Sequence, residues 1–149
     1  MSFQKAHQIS NELGEIYVQT AAAQDLQAAN NRSFLYQPLF KNYRILELGV
    51  VSVNAVTCTG AEVKFGLTLG GNEFVTDSEA FAFTTGAVGE VHSTSNSISF
   101  NAAGSGLDAD KVPVLQKGQT LTFRSEGTAS AGTEVIAFAR LAPTIEYKD

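Results

Sequence analysis

Tryptophan is absent from the 149 residues, cysteine and methionine occur once each, histidine twice and proline three times, and only 17% of the chain is charged. Each shortage removes a class of explanation. A single cysteine, Cys58, excludes an intrachain disulfide, and its setting in Val56-Thr57-Cys58-Thr59 is that of a strand end rather than of a nucleophile. His7 and His92 stand in different regions, too few and too far apart for a metal site that needs three or four convergent ligands. No run of 18 apolar residues occurs and Met1 to Gly14 is polar, so neither a membrane span nor a signal peptide is expected, and the whole chain is expected to be the mature protein. Positive charge is scarce as well. Ten Lys plus Arg against fifteen Asp plus Glu give a net charge of -5, and the cations are scattered singly, which excludes a phosphate-tracking nucleic-acid surface. Between Lys64 and Lys111 there is no basic residue, while Glu73, Asp77, Glu79, Glu90, Asp108 and Asp110 make that segment acidic.

Catalytic and ligand signatures are missing too. The glycines form no phosphate cradle of either nucleotide-binding type, and no serine sits in a Gly-x-Ser-x-Gly elbow. Asp108 and Asp110 in Gly-Leu-Asp-Ala-Asp lack the later carboxylate of a calcium loop. Asn31-Arg32-Ser33 matches a glycosylation sequon, which has no consequence without export. The expectation is therefore a protein that is not an enzyme, with no catalytic residue, cofactor, metal or small-molecule substrate. A sugar-binding module would present exposed rings along its strands, whereas the four tyrosines fall near the N-terminal segment or the C-terminus, leaving Phe74 as a loop candidate.

What the chain does contain is an architecture. Its length suits one hydrophobic core, and 44% apolar residues are ample to fill it. Residues 1–40 differ from the rest in being rich in Gln and poor in Val and Ile, and they read as an extended N-terminal arm. Within it Thr20 to Ala29, with five Ala, favours a short helix, and Phe34, Leu35, Tyr36, Leu39 and Phe40 form an apolar cluster interrupted by Pro38. That cluster is too apolar for a solvated tail, so it is the candidate surface for a partner.

From residue 41 to 149 the pattern alternates with period two, the signature of strands. The alternation in Arg44 to Val56 slips phase at Gly49-Val50, which predicts a bulge there. Further strands are expected at Val63 to Leu69, around Phe81 and Phe83, at Ile98 and Phe100, at Leu121 to Arg124 and at Glu134 to Leu141. The last is apolar on both faces apart from Arg140, as for a strand covered on both sides, which makes Ile136, Phe138 and Arg140 the candidate subunit interface. Glycine turns between these strands, uneven connection lengths and the long Asn101 to Lys111 loop predict an all-β, antiparallel, jelly-roll-like sandwich body.

The segment Val112-Pro113-Val114-Leu115-Gln116-Lys117-Gly118-Gln119-Thr120-Leu121-Thr122-Phe123, followed by Gly132-Thr133-Glu134-Val135-Ile136-Ala137-Phe138-Ala139-Arg140-Leu141-Ala142-Pro143, resembles the closing strands of bacteriophage capsid decoration proteins, also called cement or head-stabilising proteins. The resemblance implies a jelly-roll-like homotrimer seated on the major capsid protein at the virion surface, made in the host cytoplasm, with arms reaching over neighbouring subunits. No single functional residue is implied by it. The competing expectation is a receptor- or carbohydrate-binding β-sandwich module of a fibre or spike.

Overall fold

The structure is a computed structural model that describes residues 14–25, 31–54, 62–68, 73–77, 87–96, 100, 113–126 and 134–144. Among these residues ten strands run in chain order: β1 (Ile16–Gln19), β2 (Gln24–Asp25), β3 (Asn31–Tyr36), β4 (Tyr43–Ser52), β5 (Glu62–Gly66), β6 (Val75–Asp77), β7 (Val91–Ser93), β8 (Val114–Leu115), β9 (Leu121–Glu126) and β10 (Glu134–Pro143). All pairing is antiparallel, and no helix occurs among the described residues. The first sheet has the order β1-β10-β4-β7, with β2 also on β10 and β8 also on β4; the second has the order β3-β9-β5-β6.

Strand alternation builds the core between these sheets. Val135, Ala137, Ala139 and Leu141 of β10 are buried, while the residues between them are half-buried. Beside them β4 buries Tyr43, Ile45, Leu48 and Val50, and the second sheet supplies Val63, Phe65, Val75, Leu121 and Phe123 to the same cluster. The Phe65 and Phe123 rings lie 5.3 Å apart in a tilted arrangement. Full burial of such side chains contributes about 1.5–3 kcal/mol each. Phe74, at 2% exposure, belongs to this core, so it is not the loop ring that a sugar could stack on.

The bulge in β4 occurs three residues before its expected position. Arg140 faces Glu47 but Leu141 faces Ile45, which leaves Leu46 as the extra residue, and the buried parity changes there from Tyr43 and Ile45 to Leu48 and Val50. Leu46, Leu48 and Val50 look alike in an apolar pattern, so only the β10 register tells which of them is displaced. Gly49 is instead regular strand, and its role is steric: Phe138 of β10 pairs with it directly. A ring opposite a strand glycine covers backbone that no side chain of its own would cover. At Gly118 (φ +86°) the expected Lys117-Gly118 turn is present, with Gln119 N donating to Gln116 O at 3.0 Å, and glycine meets the positive φ without strain.

The segment read as an arm supplies strands to both sheets. Ile16 to Gln19 pair with Leu141 to Phe138, Gln24 and Asp25 pair with Val135 and Glu134, and Asn31 to Tyr36 pair with Ser125 to Leu121. Residues 20–25 of the expected helix are bends followed by β2; the remainder of Thr20 to Ala29 lies outside the described residues. Helix propensity is a weak local preference, and here ladder bonds to β10 outweigh it, including Thr20 N donating to Ala137 O at 2.9 Å. Ser33 Oγ donates to Gln24 Oε1 at 2.6 Å, tying β3 of one sheet to β2 of the other. The strands expected around Phe81 and Phe83, Ile98, Cys58, His7, Asp108, Asp110 and the Asn101 to Lys111 loop lie outside the described residues, and Phe100 packs on the core without being in a strand.

A Cβ at position 49 would stand 2.5 Å from Ser93 Cβ, 2.6 Å from His92 O and 2.9 Å from Phe138 Cε1. Gly49→Ala is therefore expected to destabilise the fold by about 1–3 kcal/mol, the usual cost of overpacking. In urea the unfolding midpoint should fall with an unchanged m-value; an unaltered midpoint would contradict the close approach.

Candidate functional site

Two surfaces carry the candidate residues. The first lies at the end of the sandwich where β3 crosses to β4. Residues 37–42 are fastened to the turn that leads into β9: Gly118 N donates to Pro38 O at 2.8 Å, Gln37 Nε2 to Gly118 O at 3.0 Å, and Lys117 N to Asn42 Oδ1 at 2.8 Å. Thr144 N also donates to Asn42 O, at 3.0 Å. Held by this frame, Leu39 is 64% and Phe40 88% exposed. Phe34, on β3, is 63% exposed. Leu35 and Tyr36 behave differently, since both are half-buried against the core. The register shift in β3 between Phe34 and Tyr36 separates the outward group from the inward one.

Tyr36 meets Tyr43 edge-on, with ring centroids 5.6 Å apart and planes at 88°. Burial first, then the hydrogen bond that the Tyr36 hydroxyl donates to the Tyr43 side chain and repulsion by Tyr43 when ionised, push the Tyr36 phenol up to about 12. Beside Phe40 stand Lys41 and Lys117, and Arg44 follows at the start of β4. Phe40, Lys41, Asn42, Lys117 and Thr144 line one shallow cavity of about 370 Å³, so apolar and cationic groups share a wall.

The second surface is the outer face of the first sheet. Ile136 and Phe138 are both half-buried there, and with Tyr17, Val18, Gln19 and Val51 they line a second shallow cavity. Tyr17 is 69% exposed. Among the described residues no further layer covers β10 on this side, and its two apolar faces are one core face and one half-buried face. Arg140 is engaged within the chain: Nη1 meets Glu15 Oε1 at 2.9 Å and Nε meets Glu47 Oε2 at 3.2 Å. Glu47 Oε1 in turn accepts from Ser93 Oγ at 2.5 Å. The Glu15 hydrogen bond is the main reason the guanidinium is held more basic than usual, with burial opposing it. Thus the structure brings Ile136 and Phe138 together and gives Arg140 to an internal network. Tyr17, Glu15 and Glu47 escaped the sequence reading, although the β-forming run Ile16-Tyr17-Val18 would have marked β1.

His92 Nε2 lies 3.0 Å from Glu90 Oε1, and among the described residues no three His, Cys, Asp or Glu side chains gather as a metal site requires. No protein-family model, no curated protein and no solved structure matches the chain.

Alkaline pH tests the Tyr36 environment. The unfolded phenol loses its proton near pH 10 and the folded one near pH 12, so in that window the folded state binds more protons and stability declines as pH rises. The contribution is fully present below pH 10. Tyr36→Phe should make the decline between pH 10 and 12 shallower in urea denaturation; an unchanged slope would exclude the shifted phenol.

Proposed function

We propose that this chain is a structural protein of a bacteriophage particle that binds the outer surface of the capsid and stabilises its lattice. The observation that carries the reading is the Leu39–Phe40 loop: two large apolar side chains turned to solvent on backbone fixed by hydrogen bonds on both sides. Exposed apolar groups that serve no purpose in their own core mark a partner surface, and prior ordering lowers the entropy cost of binding. The partner in this reading is the major capsid protein, and the location is the capsid surface of the virion.

Strand pairing supports the jelly-roll form of the body. With the two-residue β2 and β8 set aside, eight strands remain among the described residues, and of these the first pairs with the last, the second with the seventh, the third with the sixth and the fourth with the fifth. That is one antiparallel ribbon rolled over itself, as in a double Greek key. The half-open outer face with Tyr17, Ile136 and Phe138 supports self-association, and the reading takes the assembly to be a homotrimer.

Co-sedimentation with undecorated capsids of the phage that encodes the chain is the direct test. Phe40→Ser should lower binding by about thirtyfold or more, the loss typical of an anchor residue, with the thermal midpoint retained. Full binding by the variant would overturn the site, and binding by a glycan or host receptor instead would favour a fibre or spike module. Deleting residues 1–33 is not an equivalent test, because it removes β1, β2 and half of β3. For the assembly, light scattering should give roughly 47 kDa, three times the 15.8 kDa chain. Phe138→Ser should reduce it to one chain, whereas a monomeric wild type at micromolar concentration would remove the trimer.

A further inference from the structure

The cations of the described surface are unevenly used. Arg140 is bound by two carboxylates, and Lys64 and Arg124 have interactions of their own on the second sheet. Lys41, Arg44 and Lys117 have no ion pair among the described residues; Lys41 and Lys117 line the cavity beside Phe40, and Arg44 lies on β4 two residues after Asn42 of the same loop. Among the described residues, this puts cations without ion pairs beside Phe40, the most exposed of the large apolar side chains there, in a chain of net charge -5.

We infer that this end docks an acidic, apolar segment of its protein partner, one or two aliphatic or aromatic side chains flanked by carboxylates. The chemistry follows from the surface itself. Phe40 and Leu39 offer contact area that gains from being removed from water. Lys41 and Lys117 share the cavity wall with Phe40, so a carboxylate next to a buried apolar side chain reaches an ammonium group without leaving the contact. Rim charges of this kind act mainly on association rate and on choice of partner, and a basic segment is repelled. Nucleic acid fits poorly, since three cations on a chain of net charge -5 give little counterion release. An anionic membrane is disfavoured by the same net charge and by the small size of the apolar loop.

The identity of the partner rests on the capsid reading, whereas its chemistry does not, and the test separates them. Two probes are used with the intact protein: undecorated capsids, and a synthetic peptide with Leu and Phe flanked by Glu, compared with the same peptide carrying Lys for Glu. The acidic peptide should bind, its affinity falling with added salt, and the Lys peptide should not. Lys41→Glu and Lys117→Glu should each weaken acidic-peptide binding roughly fivefold at low salt and flatten its salt dependence, while Phe40→Ser weakens it without changing that dependence. Thermal midpoints near the wild-type value show that the variants are folded. Acidic-peptide binding without capsid binding sustains the inference and removes the capsid reading. Capsid binding that is indifferent to salt and to both lysine reversals overturns the inference and leaves the capsid reading standing. Equal binding of both peptides, or preference for anionic lipid vesicles over the acidic peptide, also overturns it.

Discussion

The antiparallel ladder between β4 and β10 is the constraint on which the other parts depend. These two ten-residue strands pair from Val135 with Ser52 to Pro143 with Tyr43, and β10 accepts β1 and β2 on its other side. One parity of β10 forms the core wall; the other sets Ile136, Phe138 and Arg140 on the outer face. A one-residue slip would exchange them, placing a guanidinium in the core, so register is enforced by charge as well as by apolar burial. Phe138 against Gly49 and the chain from Glu15 through Arg140 and Glu47 to Ser93 then lock the same register on the outside, spanning from the approach to β1 across to β7.

Strands with their own alternation were legible in the sequence. Val63, Phe65, Leu121 and Phe123 bury as the period-two pattern predicts, and the last strand falls where it was expected, extended to Pro143. What escaped was structure created by distant pairing. Ile16 to Gln19 is too short to declare itself, and it becomes a strand because the β10 edge is waiting 120 residues further along the chain. Gln-rich composition suggested a detached arm, yet glutamine on such a segment is compatible with an edge strand, as the Gln24 bond to Ser33 demonstrates. The β4 bulge was foreseen in kind and misplaced in position, since a phase slip in an apolar run leaves several equivalent sites for the extra residue.

The candidate surfaces were legible only as composition. Five apolar residues between Phe34 and Phe40 stood out, but their division into inward and outward groups depends on the β3 register shift and on Asn42, whose side chain holds the loop to the Lys117–Gly118 turn and whose backbone holds it to Thr144. Tyr36 goes inward to Tyr43 and Leu39 and Phe40 go outward. Arg140 was singled out as an apolar strand's lone charge, and the reason for its presence is internal neutralisation by Glu15 and Glu47, which no local pattern announces.

The two outer faces of the sandwich follow different physical rules, and that difference underlies the roles proposed for them. On the second sheet, Lys64 and Arg124 are cross-strand partners on the side opposite Val63, Phe65 and Phe123, and each has interactions of its own; such a face gains little from a partner because its charges would have to be desolvated again. On the first sheet, Tyr17, Val51, Ile136 and Phe138 form a half-open apolar surface beside Arg140, whose charge is already paired with Glu15 and Glu47, so covering that surface leaves no lone cation to desolvate. The Leu39–Phe40 end combines exposed apolar area with unmatched cations, and it alone among these surfaces gains from both terms when an oppositely charged partner arrives. In the proposed reading, self-association is therefore the role of the apolar face of the first sheet, and selective docking of another protein is the role of the cationic end.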